Sequence, residues 1–307
     1  MMYRGPLRGS RFVAGLLLMV ACLINQGCGI KLVYNNADRL ARWWVSDYID
    51  LDKPQRRYFD ASAAQIMFWH RTTQLSVYRE MLLDLADEID RGAIDKTRLD
   101  SIVAEVEAWA MAFNERSAPV ARDILLALSP AQQRKFEKAL QKSNRDYERE
   151  SRKTPSERAQ EEAKDYAWLV KKFVGRLSAD QKALILEKHL EMFPDAQVIL
   201  DYRIEWQQTL LRALRSEPPD EELIFDLMVN FDAHYPPDFE RMVEVNEVVY
   251  ENLTLELIAS LSETQRVRMA SELRNYARIF MELIEEAPEL PPPVVTPLPR
   301  YKPFPQT

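Results

Sequence analysis

From Ala37 to about Ala287 the chain has no convincing period-two alternation. Apolar residues instead recur at spacings of three and four, as in Tyr166, Leu169, Val170, Phe173 and Val174. That spacing lines one face of a helix and cannot build a half-buried strand, so the expected fold is all-α. Seven glycines among 307 residues leave few places for tight turns or a phosphate-cradling loop, which removes nucleotide-binding α/β architectures. The expectation is an elongated bundle of about nine or ten helices.

Capping chemistry marks the helix starts. Asp52-Lys53-Pro54-Gln55, Ser129-Pro130-Ala131-Gln132, Thr154-Pro155-Ser156-Glu157, Ser178-Ala179-Asp180-Gln181 and Ser262-Glu263-Thr264-Gln265 each set an oxygen cap three residues before Gln or Glu. Leucine precedes four of them, at 51, 128, 177 and 261. The offsets 51 to 177 and 128 to 261 are 126 and 133, and Tyr78-Arg79 repeats as Tyr202-Arg203 at 124. We read a weak tandem duplication within a helical domain of 37–287, with halves 51–176 and 177–287. Reuse of good caps by any helical protein is the alternative.

The first 37 residues contain no acid, and Arg4, Arg8 and Arg11 precede an apolar run from Phe12 to Ile24, the layout of an export signal. The run is too short to span a bilayer. It ends at Asn25-Gln26-Gly27-Cys28-Gly29, which resembles the lipobox of bacterial lipoproteins. That resemblance implies a signal peptide over 1–27, diacylglycerol on Cys28, and an anchor linker over 28–36. Asn25 departs from the aliphatic residue usual there, and cleavage before Cys22 is a rival. By the sorting rule of such lipoproteins, Gly29 in place of Asp implies the periplasmic side of the outer membrane. Loss of the three signal arginines takes the net charge from −7 to −10.

Gln141 to Asp165 carries seven basic and seven acidic residues and reads as a solvated hairpin tip. The last twenty residues, 288–307, hold eight prolines and read as a disordered, extended tail. The acidic balance disfavours nucleic acid as a partner. His70, His189 and His234 are far apart, with no paired metal spacing, so neither a metal nor a cofactor is expected. Acylation of Cys28 would leave no thiol nucleophile, and no serine elbow is present. Aromatic residues crowd the region near the anchor, including Tyr34, Trp43, Trp44, Tyr48, Trp69 and His70. They read either as core or as a groove open to a client or lipid; the core reading is preferred.

Lys31-Leu-Val-Tyr-Asn-Asn36, Trp43-Trp44, Tyr48-Ile-Asp-Leu51, Gln55 and Trp69-His-Arg-Thr-Thr-Gln-Leu75 resemble a family of uncharacterised helical lipoproteins of Gram-negative bacteria. That resemblance implies lipidation and a helical fold and brings no catalytic residues. The Leu-Ser-x-x-Gln starts more loosely resemble the Leu-Thr-x-x-Gln signature of small periplasmic stress chaperones. The functional expectation is a non-enzymatic lipoprotein whose partners are the membrane, through Cys28, and an unknown envelope protein or unfolded client. A spacer between membrane and cell wall, or an envelope hydrolase using carboxylates with His70 or His189, are the alternatives.

Overall fold

The computed structural model describes residues 28–192, 196–289, 292–293 and 296–300. The expected signal peptide lies outside them, as does Pro194. Among the described residues the chain is all-α. The first half holds α1 (Cys28–Asn35), α2 (Ala37–Ser46), α3 (Lys53–Trp69), α4 (Leu75–Arg91), α5 (Lys96–Leu126) and α6 (Pro130–Glu150). The second runs through α7 (Pro155–Val174), α8 (Ala179–Glu191), α9 (Ala196–Arg215), α10 (Glu221–Val229), α11 (Pro237–Ala259) and α12 (Glu263–Glu285). A π turn, His70–Gln74, joins α3 to α4. There are thus twelve segments, or eleven if α3 and α4 count as one helix; short α1, α2 and α10 account for the excess over nine or ten.

All five expected caps form complete capping boxes, with the cap oxygen accepting from the backbone N–H three residues on. In each box the Gln or Glu side-chain oxygen accepts from the N–H of the cap residue. The charge-rich segment 141–165 spans the end of α6, the turn 151–154 and the start of α7, where Ala159 and Ala163 are buried.

In the four leucine-preceded boxes the Gln amide nitrogen is still free to donate, and it donates across to a second box. Gln55 donates to the Ala127 carbonyl at 2.6 Å, and Gln132 donates to the Asp50 carbonyl at 2.7 Å. Their side-chain amides also bond each other, at 2.6 and 3.3 Å. The second pair repeats this: Gln181 donates to the Ser260 carbonyl at 3.2 Å and Gln265 to the Arg176 carbonyl at 3.0 Å. The mutual amide bonds there are 2.9 and 3.0 Å. Every acceptor carbonyl lies two residues before a cap, so each clasp has local two-fold symmetry. Glutamate has no N–H to donate, and the box built on Glu157 is the one outside the clasps.

The core is divided into four clusters. Leu51 and Leu128, from the first clasp, sit in one with Ile124, Phe136, Leu214 and Ile224. From the second clasp, Leu177 and Leu261 sit in another with Ile185 and Leu253. The largest packs α4 along α12, through Leu75, Tyr78, Leu82 and Ile89 against Leu273, Tyr276, Phe280 and Leu283. A small one joins Ile199 to Phe239 and Met242. Two pairings follow the repeat in exchanged fashion. The helix after the second cap of each half packs on the second helix of the other half: α6 on α9, and α12 on α4.

At the amino-terminal end, α1 within the expected anchor linker 28–36 lies on α12, with Ile30 and Tyr34 buried in the largest cluster. Lys31 bridges Glu282 at 3.1 Å and Glu286 at 2.5 Å. The described part of the tail has no helix, as its prolines dictate, yet it is held against the body. Gln65 donates to the Pro293 carbonyl at 2.8 Å, Leu298 packs against the cluster of the first clasp, and Arg300 pairs with Glu221.

Candidate functional site

The aromatic residues near the amino terminus separate into two groups. One surrounds His70, where α3 passes into the π turn. The turn is closed by the i to i+5 bond from the Leu75 N–H to the His70 carbonyl. Thr72 and Thr73 hydroxyls donate to the Phe68 and Trp69 carbonyls at 2.8 and 2.7 Å, occupying acceptors that an irregular turn leaves partly open. The His70 ring lies among Tyr34, Trp69, Tyr78 and Phe113, at centroid distances of 5.7, 6.2, 5.4 and 6.4 Å. Arg71 stacks over Tyr34 and Arg116 over Trp69, at 5.0 and 5.1 Å.

His70 Nδ1 lies 2.9 Å from the Tyr34 hydroxyl, and in the Nε2–H tautomer that hydroxyl donates to it. Burial, with the Arg71 charge adding to it, pushes the imidazole down to about 4. It is therefore neutral at pH 7. Burial also pushes the Tyr78 phenol up to about 12. The charged neighbour that acts on His70 is a cation, the opposite of the carboxylate that orients a catalytic histidine base.

His189 lies in a different cluster, almost wholly buried between Tyr166 and Tyr250. Its Nδ1 is 2.7 Å from the Ile185 carbonyl, one turn earlier, and burial lowers its pKa. Glu191, two residues on, turns to Lys188 at 3.5 Å. His234 pairs with Asp226 at 2.7 Å, and the Asn230 amide, followed by His234, holds that carboxyl below its ordinary range. Among the described residues no three His, Cys, Asp or Glu side chains converge as metal ligands would.

The second aromatic group overturns the preferred core reading for Trp43 and Trp44. They are 56% and 54% exposed, and α2 has no buried residue. Tyr48, just beyond α2, turns inward with Val45 and Ile49, packing on the cluster of the first clasp with its ring 5.3 Å from Trp44. Along the chain, α1 is laid on α12, and the main contacts of α2 are with its neighbours α1 and α3, while Val45 packs on the cluster of the first clasp. Leu32 and Leu40 are also exposed.

The remaining sequence-selected residues, Asp52, Gln55, Ser129, Gln132, Ser178, Gln181, Ser262 and Gln265, are occupied in the two clasps. Cys28 opens α1. Trp109 and Phe113, one turn apart on α5, escaped the sequence reading as members of the His70 group; their spacing of four was the available signal. Likewise Tyr166 and Tyr250 around His189 carried no local signal linking them.

The arrangement defines a class of all-helical protein in which buried glutamine clasps join helix starts to one another. The chain belongs to a family of unknown function, DUF6279, whose model matches residues 47–240. Searches of curated proteins and of solved structures find no match. No helix among the described residues is long and apolar enough to cross a membrane.

Proposed function

We propose that the protein is a non-enzymatic lipoprotein, acylated on Cys28 and held at the periplasmic face of the outer membrane. There its helical body binds envelope proteins or unfolded clients. The observation that carries this reading is that the lipobox-like cysteine opens a helix seated in the core by Ile30 and Tyr34. An acyl chain at that point would hold the whole body against the membrane without a tether. Binding of clients is supported by large apolar side chains left in the open: Leu186 and Leu190 one turn apart on α8, and Val245 and Val248 on α11.

The hydrolase alternative draws no support from His70 and His189, which lie in separate clusters without an orienting carboxylate at the ring. The spacer alternative draws little, because Pro293, Leu298 and Arg300 contact the body. The test is aggregation of a chemically unfolded client in the presence of purified mature protein. Suppression that weakens in Leu186→Ser/Leu190→Ser or Val245→Ser/Val248→Ser supports binding through these faces. No suppression, together with no crosslinked envelope protein in cells, removes the binding reading.

A further inference from the structure

We infer that α2 is a membrane-contacting helix, with Leu40, Trp43 and Trp44 seated at the boundary between headgroups and acyl chains of an anionic bilayer. The inference rests on the proposed acylation of Cys28 and adds a second, non-covalent contact to it. Three observations carry it. First, Leu40, Trp43 and Trp44 stand at i, i+3 and i+4 on a helix with no buried residue, and each is exposed, by 39%, 56% and 54%. One stripe of a helix thus offers two indoles and a leucine to whatever lies outside. Tryptophan favours the bilayer boundary because its ring is apolar and its N–H remains in the wet layer.

Second, position limits the occupant. The described chain begins at Cys28, and α1 and α2 follow it with only Asn36 between them. At 1.5 Å rise per helical residue and up to about 3.8 Å for each step across Asn36, the Cα atoms of Trp43 and Trp44 lie within roughly 30 Å of that of Cys28. Because Ile30, Tyr34 and the Lys31 bridges fix α1 to α12, this neighbourhood is a property of the folded body. Leu32, 66% exposed, adds apolar surface between anchor and α2.

Third, the charge differs from that of the rest. Residues 28–46 carry Lys31, Arg39 and Arg42 against Asp38 alone, within a chain of net charge −7. Arg42 grips both oxygens of Asp60, at 2.7 and 2.8 Å, which sets α2 against α3. The exposed Arg56 and Arg57 then lie within one turn of that contact. Lys31 and Arg42 are held by carboxylates, so the cations offered to lipid phosphates are Arg39 on α2 and the exposed Arg56 and Arg57, whereas the acidic remainder of the body is repelled by such a surface.

The test couples the full mature chain through Cys28 to a maleimide lipid in phosphatidylethanolamine/phosphatidylglycerol vesicles carrying acyl-brominated lipid. Contact quenching should remove roughly a third of the tryptophan emission, the share of two among the six tryptophans. In Trp43→Phe/Trp44→Phe, which leaves buried positions untouched, that loss should disappear. Equal quenching in both proteins, or none in either, overturns the inference. So does sedimentation of the uncoupled chain as a dimer that Trp43→Ser/Trp44→Ser dissociates, because the stripe would then cover a second copy. Chemical coupling does not depend on natural processing. A bare Cys28 in cells would sink the lipoprotein reading, whereas absent quenching beside a confirmed acyl group would sink this inference alone.

Discussion

Gln55 is 2% exposed, and both ends of its amide are engaged: the oxygen by its own cap and Gln132, the nitrogen by the Ala127 carbonyl. Removing one partner of such a bond strands buried polar groups at a cost of about 1–3 kcal/mol. A double-mutant cycle of Gln55→Ala with Gln132→Ala should therefore give a coupling energy of at least about 0.5 kcal/mol. Gln55→Ala with Gln265→Ala, in different clasps, should add within about 0.5 kcal/mol. Additive behaviour in both cycles would deny the clasp. His70 gives the pH prediction. Its folded pKa, about 4, is below the ordinary 6.5, so the unfolded chain binds the proton more readily between these values. The associated stability is complete above pH 6.5 and is lost as pH falls toward 4, by about 3 kcal/mol. In urea titrations, the gap between the wild type and His70→Gln should close over that window. Parallel curves would mean that the ring is not buried neutral. The caps were legible because each box is local, contained within four residues. The clasp was not, since which box meets which depends on segments 77 and 84 residues apart.

At the scale of elements, α1 is the informative case. Sequence reading makes 28–36 an anchor linker, on the lipobox resemblance alone. Yet Ile30 is 1% exposed while Leu32, two residues on, is 66% exposed. Ile30→Ala should cost about 2–4 kcal/mol by denaturant unfolding, against less than about 0.5 kcal/mol for Leu32→Ala. Equal small effects would mean that α1 is not seated on α12. The tail teaches the same point: composition says nothing about whether its described residues find a side chain such as Gln65 or Glu221 to hold them. Helical periodicity established α-structure, because an amphipathic pattern is read within one or two turns. Exposure of α2 could not be read the same way, since two adjacent tryptophans suit a wedged core helix as well as an uncovered one. The tertiary setting of α2, whose main contacts are α1 and α3, decides between them.

For the whole molecule, the physical unit exceeds the family match. Residues 47–240 include the first clasp but leave out Gln265, and with it α12, whose face buries Leu75, Tyr78, Leu82 and Ile89 of α4. The body closes only when α12 returns to the first half and to α1, bringing these two helices together through Lys31, Glu282 and Glu286. The account therefore turns on what is attached where α1 begins. Intact-mass spectrometry of the membrane-extracted protein, with fragmentation of its first peptide, tests this directly. The account predicts a chain starting at Cys28, with a diacylglycerol on the thiol and a further acyl chain on the amine. A chain starting elsewhere, or an unmodified Cys28, would contradict it.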